Sequence, residues 1–243
     1  MSGVGFDAER ELGELRAYLG DAFDEELLRG HEHALERELE EAPSEAELYR
    51  TSQVYLYDLT VFAMSATKRP YHAMLSRHVA PGARLLDWGC GIGADGLLLL
   101  EAGYDVHFAD FANPSTEYLR WRLARRGFPD APVYDLDRDT IGEDFACAYA
   151  FDVIEHVEDP FAFLRTMERH AERVLVNVLA PDPGETSLHH ELPVRGLLRH
   201  AADRDLREYR LLHGRSHVVL YGRERSGALA RASNRLRLLR PGR

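Results

Sequence analysis

The chain is poor in cysteine, lysine and long apolar runs, and each scarcity narrows what it can be. Two cysteines, Cys90 and Cys147, lie inside apolar segments and do not amount to a disulfide framework, so a reducing, cytoplasmic setting is expected. The aliphatic run Leu97 to Leu100 is far too short to cross a bilayer, and no membrane association is expected. The opening residues, Met1 to Phe6 followed by Asp7-Ala8-Glu9-Arg10, lack the basic start and apolar stretch of a signal peptide. Lys68 is the only lysine, so nearly all positive charge is arginine, which reads as a composition bias. A net charge of −11 argues against nucleic acid as the main partner, because phosphate binding needs clustered cations. The charge is uneven. Residues 1–50 carry fifteen acidic and five basic side chains, whereas the tail from Arg223 to Arg243 carries seven arginines against Glu224 alone.

What remains is an ordinary globular composition, 45% hydrophobic and 29% charged, long enough for one α/β domain with an added element. Leu12, Leu15, Leu19 and then Phe23, Leu27, Leu28 recur at spacings of three and four, which predicts helices over the first fifty residues. Ser44-Glu45-Ala46-Glu47 has the form of a capping box and opens a helix predicted from about Glu45 to Ala66. Lys68-Arg69-Pro70 ends it, and a short helix follows over Tyr71 to His78. Pro81-Gly82 is the clearest internal boundary. Beyond it strands and helices alternate. Strands are expected at 84–88, 106–109, 132–134, 145–151 and 174–179, with helices at 94–102, 115–126, 160–171 and 192–202. Two last strands, 206–212 and 217–221, are joined by His213-Gly214-Arg215 and must form a hairpin. The expectation is a doubly wound, seven-stranded, mostly parallel sheet. Residues 1–80 would be a helical cover, 81–224 the ligand-binding domain, and 225–243 a basic tail, helical or disordered.

The first strand runs into Gly89-Cys90-Gly91-Ile92-Gly93 and then a helix. That arrangement presents backbone N–H groups and a helix N-terminus at the carboxyl edge of the sheet, where open α/β sheets bind ligands. Gly91-x-Gly93-x-x-Gly96 also matches a dinucleotide fingerprint. Asp87 decides between the two. A carboxylate just before the glycines suits the cationic ammonium and sulfonium of S-adenosylmethionine and would repel a pyrophosphate. Asp110, ending the next strand, is placed to accept bonds from both hydroxyls of a ribose.

These residues carry a resemblance. Leu85-Leu86-Asp87-Trp88-Gly89-Cys90-Gly91-Ile92-Gly93 resembles motif I of class I S-adenosylmethionine-dependent methyltransferases. Phe145 through Asp152 and on to Val153-Ile154-Glu155-His156-Val157-Glu158-Asp159-Pro160 resembles their fourth-strand motif, most like the ubiquinone/menaquinone-biosynthesis type, with Ala146 where an acid is usual. The resemblance covers roughly residues 83–222 and implies a Rossmann-like methyltransferase fold. It implies that Asp87, Gly89, Cys90, Gly91 and Gly93 surround the methionine part of the cofactor, with Phe151 nearby. Asp110 and Phe111 would hold the ribose and adenine. Asp135 and Asp137 compete to accept from the adenine amino group, and Asp135, followed by apolar Leu136, is favoured.

Asp152, Glu155 and His156 fall at i, i+3 and i+4, sharing one face if a helix has begun there, and His189 and His190 follow the fifth strand. Glu155 and His156 can simply order the loop. Alternatively His156, His189 or His190 is the general base, an imidazole taking a proton from the methyl acceptor. A third reading makes Asp152, Glu155, His156 and His190 a divalent-metal set, similar to that of small-RNA 2′-O-methyltransferases and some quinone-biosynthesis O-methyltransferases. Asp152 replaces the usual glutamate there and shortens the reach by one methylene, so no metal is expected.

Methyl transfer depends on alignment and water exclusion, which a bare sheet edge does not supply. The aromatic stretch Tyr49, Tyr55, Tyr57, Asp58, Phe62, Lys68, Arg69 and Tyr71 is expected to help close the pocket, with Tyr57 facing cofactor or substrate. The expected function is methyl transfer to an oxygen, nitrogen or carbon of a small, secondary-type metabolite. The alternatives are metal-assisted O-methylation, including that of an RNA end, and a binding or regulatory protein that has kept the fold without catalysis. Oligomeric state is left open, a homodimer being one reading.

Overall fold

In the computed structural model, which describes residues 6–180 and 190–239, six α-helices precede the first strand. They are α1 (Ala8–Leu19), α2 (Glu25–Arg29), α3 (His31–Glu41), α4 (Glu45–Thr51), α5 (Val54–Met64) and α6 (Arg69–His78). Short polar side chains start several of them by accepting otherwise unpaired N–H groups: Asp7 takes Arg10 N–H, Asp24 takes those of Glu26 and Leu27, and Ser44 takes that of Glu47. One helix was expected over residues 45–66; there are two. Ser52 leaves the helical region, its hydroxyl accepting Tyr55 N–H and donating to Glu38, so a side chain competes with the helical ladder and breaks it between Thr51 and Val54.

The strands are β1 (Arg84–Trp88), β2 (Asp105–Asp110), β3 (Val133–Asp135), β4 (Cys147–Ala150), β5 (Arg173–Leu179), β6 (Arg204–Leu212) and β7 (Ser216–Arg225). Between them run α7 (Ala94–Glu101), α8 (Pro114–Arg125), α9 (Pro160–His170) and α10 (Val194–Ala202). They form one seven-stranded sheet in the order β3-β2-β1-β4-β5-β7-β6. β7 runs antiparallel to both β5 and β6, so the expected hairpin inserts its second strand beside β5 and leaves β6 at the edge. The strand order reverses between β1 and β4, the switch point where doubly wound sheets place their ligands. Phe145, expected at the start of β4, makes only an isolated bridge to Ala171. The tail after Arg225 is helical over α11 (Ala228–Leu238).

By its contacts the chain divides into two compact units, Met1–Pro70 with Gly89–Thr140, and Tyr71–Trp88 with Ile141–Arg243. In the first, Leu15, Leu56, Tyr57, Ala63, Ile92 and Tyr118 form a buried cluster. Gly93 there has φ +70, and a Cβ would lie 2.3 Å from Leu119 Cδ1. Only glycine lets α8 pack this close to the turn. In the second unit β4 is buried along its whole length and β5 over all but its ends. Tyr71 shares a 2.7 Å hydrogen bond with Ser216. Glu208 accepts from Arg77, His78 and Arg210; burial alone would raise its carboxyl, but these bonds hold it down at about 2.

Candidate functional site

The glycine turn of the first unit is a backbone device. Gly89, Gly91 and Gly93 all have positive φ, at +71, +50 and +70. Gly89 and Cys90 donate to Ala109 O at 2.8 and 3.3 Å, tying the turn to the end of β2, and Gly93 donates to Cys90 O at 2.7 Å. Asp110 completes it. Gly91 N–H donates to Asp110 Oδ2 and Phe111 N–H to Oδ1, both at 2.7 Å. Burial raises this carboxyl above its ordinary value, and the two N–H groups offset part of that. Each carboxylate oxygen has used one acceptor position and keeps another, which is the capacity a ribose diol needs. Leu136 N–H donates to Asp110 O at 2.9 Å, so the end of β3 closes on the same residue. Gly89, Cys90, Gly91, Gly93, Asp110, Phe111, Asp135 and Leu136 are thus gathered at the ends of β2 and β3. The donor set fits an adenosine-type ligand.

Asp135 and Asp137 have different partners. Asp135 Oδ1 accepts Asp137 N–H at 3.1 Å. The Asp137 carboxylate is gripped by both Nη groups of Arg50, which lower its pKa. The Arg50 guanidinium carbon also lies 4.3 Å from the centroid of the Phe111 ring. Nearby, Asn113 Nδ2 donates to Tyr49 O at 3.1 Å, and Leu59 Cδ1 would stand 3.1 Å from a Cβ on Gly91. Arg50 and Leu59 were not among the expected site residues. Both belong to the stretch expected to help close the pocket, but only the fold shows what they touch.

Tyr57 is buried in the cluster around Leu15 and Ile92, and its hydroxyl accepts Asp24 N–H at 2.9 Å at the start of α2.

In the second unit Asp87 is buried on β1, in register with Tyr149 of β4. Phe151 is buried and meets Tyr71 edge-on at 5.2 Å, with His72 5.9 Å away. Asp152 has φ +57, an uncommon conformation for a non-glycine residue, and a reciprocal clamp holds it. Asp152 N–H donates to Asn177 Oδ1 at 2.8 Å, and Asn177 Nδ2 donates back to Asp152 Oδ1 at 2.6 Å. Asn177, fully buried on β5, was missed because it is 25 residues away and reads as one polar position in an apolar strand.

Ile154–His156 is a single 3-10 turn, and α9 begins only at Pro160 with Asp159 as its cap. The helical face on which Asp152, Glu155 and His156 were to align therefore does not form, because the left-handed Asp152 and the tight turn interrupt it. Glu155 is buried and its carbonyl accepts His190 N–H at 2.8 Å, while His156 is half-buried and His190 exposed. Among the described residues no three of His, Cys, Asp and Glu are placed to hold a metal ion. His189 lies outside the described residues.

A family model described as a methyltransferase domain matches residues 55–234. No curated protein matches the chain in a sequence search. Solved structures do. The StiE O-MT is 13% identical with a TM-score of 0.57, over 74% of this chain and 83% of that one. Magnesium protoporphyrin IX methyltransferase from Synechocystis PCC 6803, with bound S-adenosylhomocysteine, is 14% identical with a TM-score of 0.55, over 72% and 89%. The [4+2]-cyclase SpnF is 18% identical with a TM-score of 0.53, over 63% of each chain. Likeness at these identities speaks to the fold alone, and a cyclase among the neighbours shows how far reactions on it diverge. Among the described residues no helix is long and apolar enough to cross a membrane. The family match spans most of the chain and includes the glycine turn, Asp110 and the β4 edge: the chain belongs to the methyltransferase domain family, and it is a class I S-adenosylmethionine-dependent methyltransferase.

Proposed function

We propose that this enzyme transfers a methyl group from S-adenosylmethionine to an oxygen, nitrogen or carbon nucleophile of a small molecule. The observation that carries the cofactor half is Asp110, whose two oxygens each hold one backbone N–H and retain one acceptor position. In this reading those positions bond the ribose hydroxyls, Phe111 and Leu136 flank the adenine, and the Asp135 carboxylate accepts its amino group. Gly89, Cys90, Gly91 and Gly93 let the methionine portion approach the backbone, Asp87 complements its ammonium, and Phe151 adds an apolar wall. When bound, the cofactor supplies a methyl group on a cationic sulfur, open to in-line displacement. The chain's remaining task is to orient the acceptor, exclude water and take up its proton. His156 and His190 are the described candidates for that last role, each through a ring nitrogen, with His189 as a third.

A small acceptor is favoured by the likeness of the Glu155-His156-Val157-Glu158-Asp159-Pro160 segment to quinone-biosynthesis methyltransferases. It is favoured also by a net charge of −11, which opposes a nucleic-acid substrate. The test is calorimetric titration with S-adenosylhomocysteine. Wild type should bind, and Asp110→Ala should bind about 100-fold more weakly, since it loses charge-assisted hydrogen bonds. Equal affinity in the two proteins would remove Asp110 from the site. Transfer of labelled methyl to a panel of phenols, amines and activated carbon acids, with RNA oligonucleotides as the contrast, then identifies the acceptor class.

A further inference from the structure

Arg122 of α8 is the largest fully buried side chain among the described residues. Its three guanidinium nitrogens reach three partners. Nε donates to Glu14 Oε2 at 2.8 Å, Nη2 donates to Glu11 Oε2, and Nη1 donates to the carbonyl of Ile92 at 2.8 Å. Glu11 and Glu14 lie on α1, some 110 residues earlier, and both are buried. Arg126, one turn further along, bonds the same two carboxylates through Nε and Nη2, each at 2.8 Å. Two glutamates and two arginines thus form a compact cluster in which formal charge is balanced. Arg10 and Glu101 extend it toward the surface through a 2.7 Å pair.

Stability alone does not explain this arrangement. A buried ion pair is often replaceable by apolar side chains of similar volume, so its net contribution is small for the desolvation it demands. What an apolar side chain cannot do is hold Ile92 O. That carbonyl sits in the centre of the turn, after Gly91, whose N–H bonds Asp110, and before Gly93, whose positive φ opens α7. Fixing the Ile92 carbonyl fixes the orientation of the Ile92–Gly93 peptide. Lysine would offer a single point charge, whereas the planar guanidinium fork bonds two carboxylates and one carbonyl in set directions.

We propose that Arg122 is a positioning residue for the cofactor turn, and that through it α1 sets the affinity for the cofactor. The N-terminal helices then serve the cofactor as well as any acceptor. This rests on reading Gly89–Gly93 as the turn that binds S-adenosylmethionine.

The experiment compares Arg122→Lys, Arg122→Met and the double variant Glu11→Gln/Glu14→Gln with Leu123→Ala. The last removes a buried side chain from the same helix and leaves Arg122 in place. Thermal unfolding and S-adenosylhomocysteine affinity by calorimetry are measured on each, and the labelled-methyl assay gives KM for the donor and kcat separately. The Arg122 variants should lose affinity by about 10- to 100-fold, as expected for a lost hydrogen bond to a charged group. The loss should appear in KM for the donor more than in kcat, and the glutamate double variant should follow in the same direction. Leu123→Ala should melt lower with near-normal affinity. Arg122 variants that fold and bind as wild type overturn the proposal, as does a Leu123→Ala variant that loses affinity in step with its melting temperature. If Arg122→Met does not fold, Arg122→Lys and the glutamate variant carry the comparison. Failure of wild type itself to bind S-adenosylhomocysteine would instead overturn the cofactor reading.

Discussion

The two compact units solve different problems with different materials. Around the glycine turn the proposed cofactor contacts are backbone groups and one carboxylate, backed by a side chain that leaves room only for hydrogen at Gly93 and by a fully buried arginine at Ile92. Around the β4 edge the proposed acceptor-side groups are side chains on a short turn, beside the reciprocal clamp between Asp152 and Asn177. The lesson is that a backbone-built site tolerates almost no change in its packing, whereas a side-chain-built site can change its occupants while the clamp persists. A family that keeps its methyl donor and varies its acceptor would need this division of labour.

The sharpest way to break the comparison is at glycine. Gly93→Ala combines a left-handed φ with a Cβ that collides with Leu119, and should cost about 2–4 kcal/mol of stability. In the second unit Gly82, also at positive φ but with nothing within 4 Å of its would-be Cβ, should cost only about 1 kcal/mol when changed to alanine. Thermal or urea unfolding of the two variants reads the difference directly, and equal losses would mean that packing adds nothing at the turn.

An intermediate effect is expected at the clamp. Asn177→Leu keeps the volume of a buried residue but removes both bonds to Asp152, and should cost about 1–3 kcal/mol. If the β4 edge serves the acceptor, turnover should fall about tenfold through misalignment while affinity for S-adenosylhomocysteine stays close to wild type. A parallel loss of cofactor affinity would contradict the division.

The smallest effect is electrostatic. Glu208, held at about 2 by Arg77, His78 and Arg210, is ionised in the folded enzyme well below the ordinary glutamate value. A depressed carboxyl contributes stability above its unfolded pKa of about 4.3 and loses it as the pH falls toward 2. Glu208→Gln should therefore melt about 2–4 °C lower than wild type at pH 7. The gap should narrow steadily below pH 4.5. A gap independent of pH would show that the contribution is packing and not charge.

Much of this was legible in the chain because it is local. β1 spans Arg84–Trp88 as the apolar run and the following glycines predict, and β2 ends on Asp110 as expected. Strand ends next to glycine, and the helix start at Ser44, depend on residues within three or four positions of each other. The errors were also local in origin. Ser52 looks like an ordinary helix-interior serine until its partner Glu38 is known, and the helical face at Asp152 to His156 assumed a continuity that Asp152 refuses. Tyr57 has the residue type of a ligand-facing phenol, and only the fold shows that its hydroxyl accepts the Asp24 N–H.

By itself the sequence determined the class of fold, the turn between β1 and α7, and the carboxylate at the end of β2, because each follows from periodicity, glycine conformations and short spacings. Tertiary structure alone decided that Arg50 reaches Asp137, that Arg122 joins α1 to Ile92, and that Asn177 holds Asp152. Those contacts span 25 to 111 residues. No spacing rule reaches that far, since the partner of a buried charge is set by which helices the hydrophobic core brings side by side.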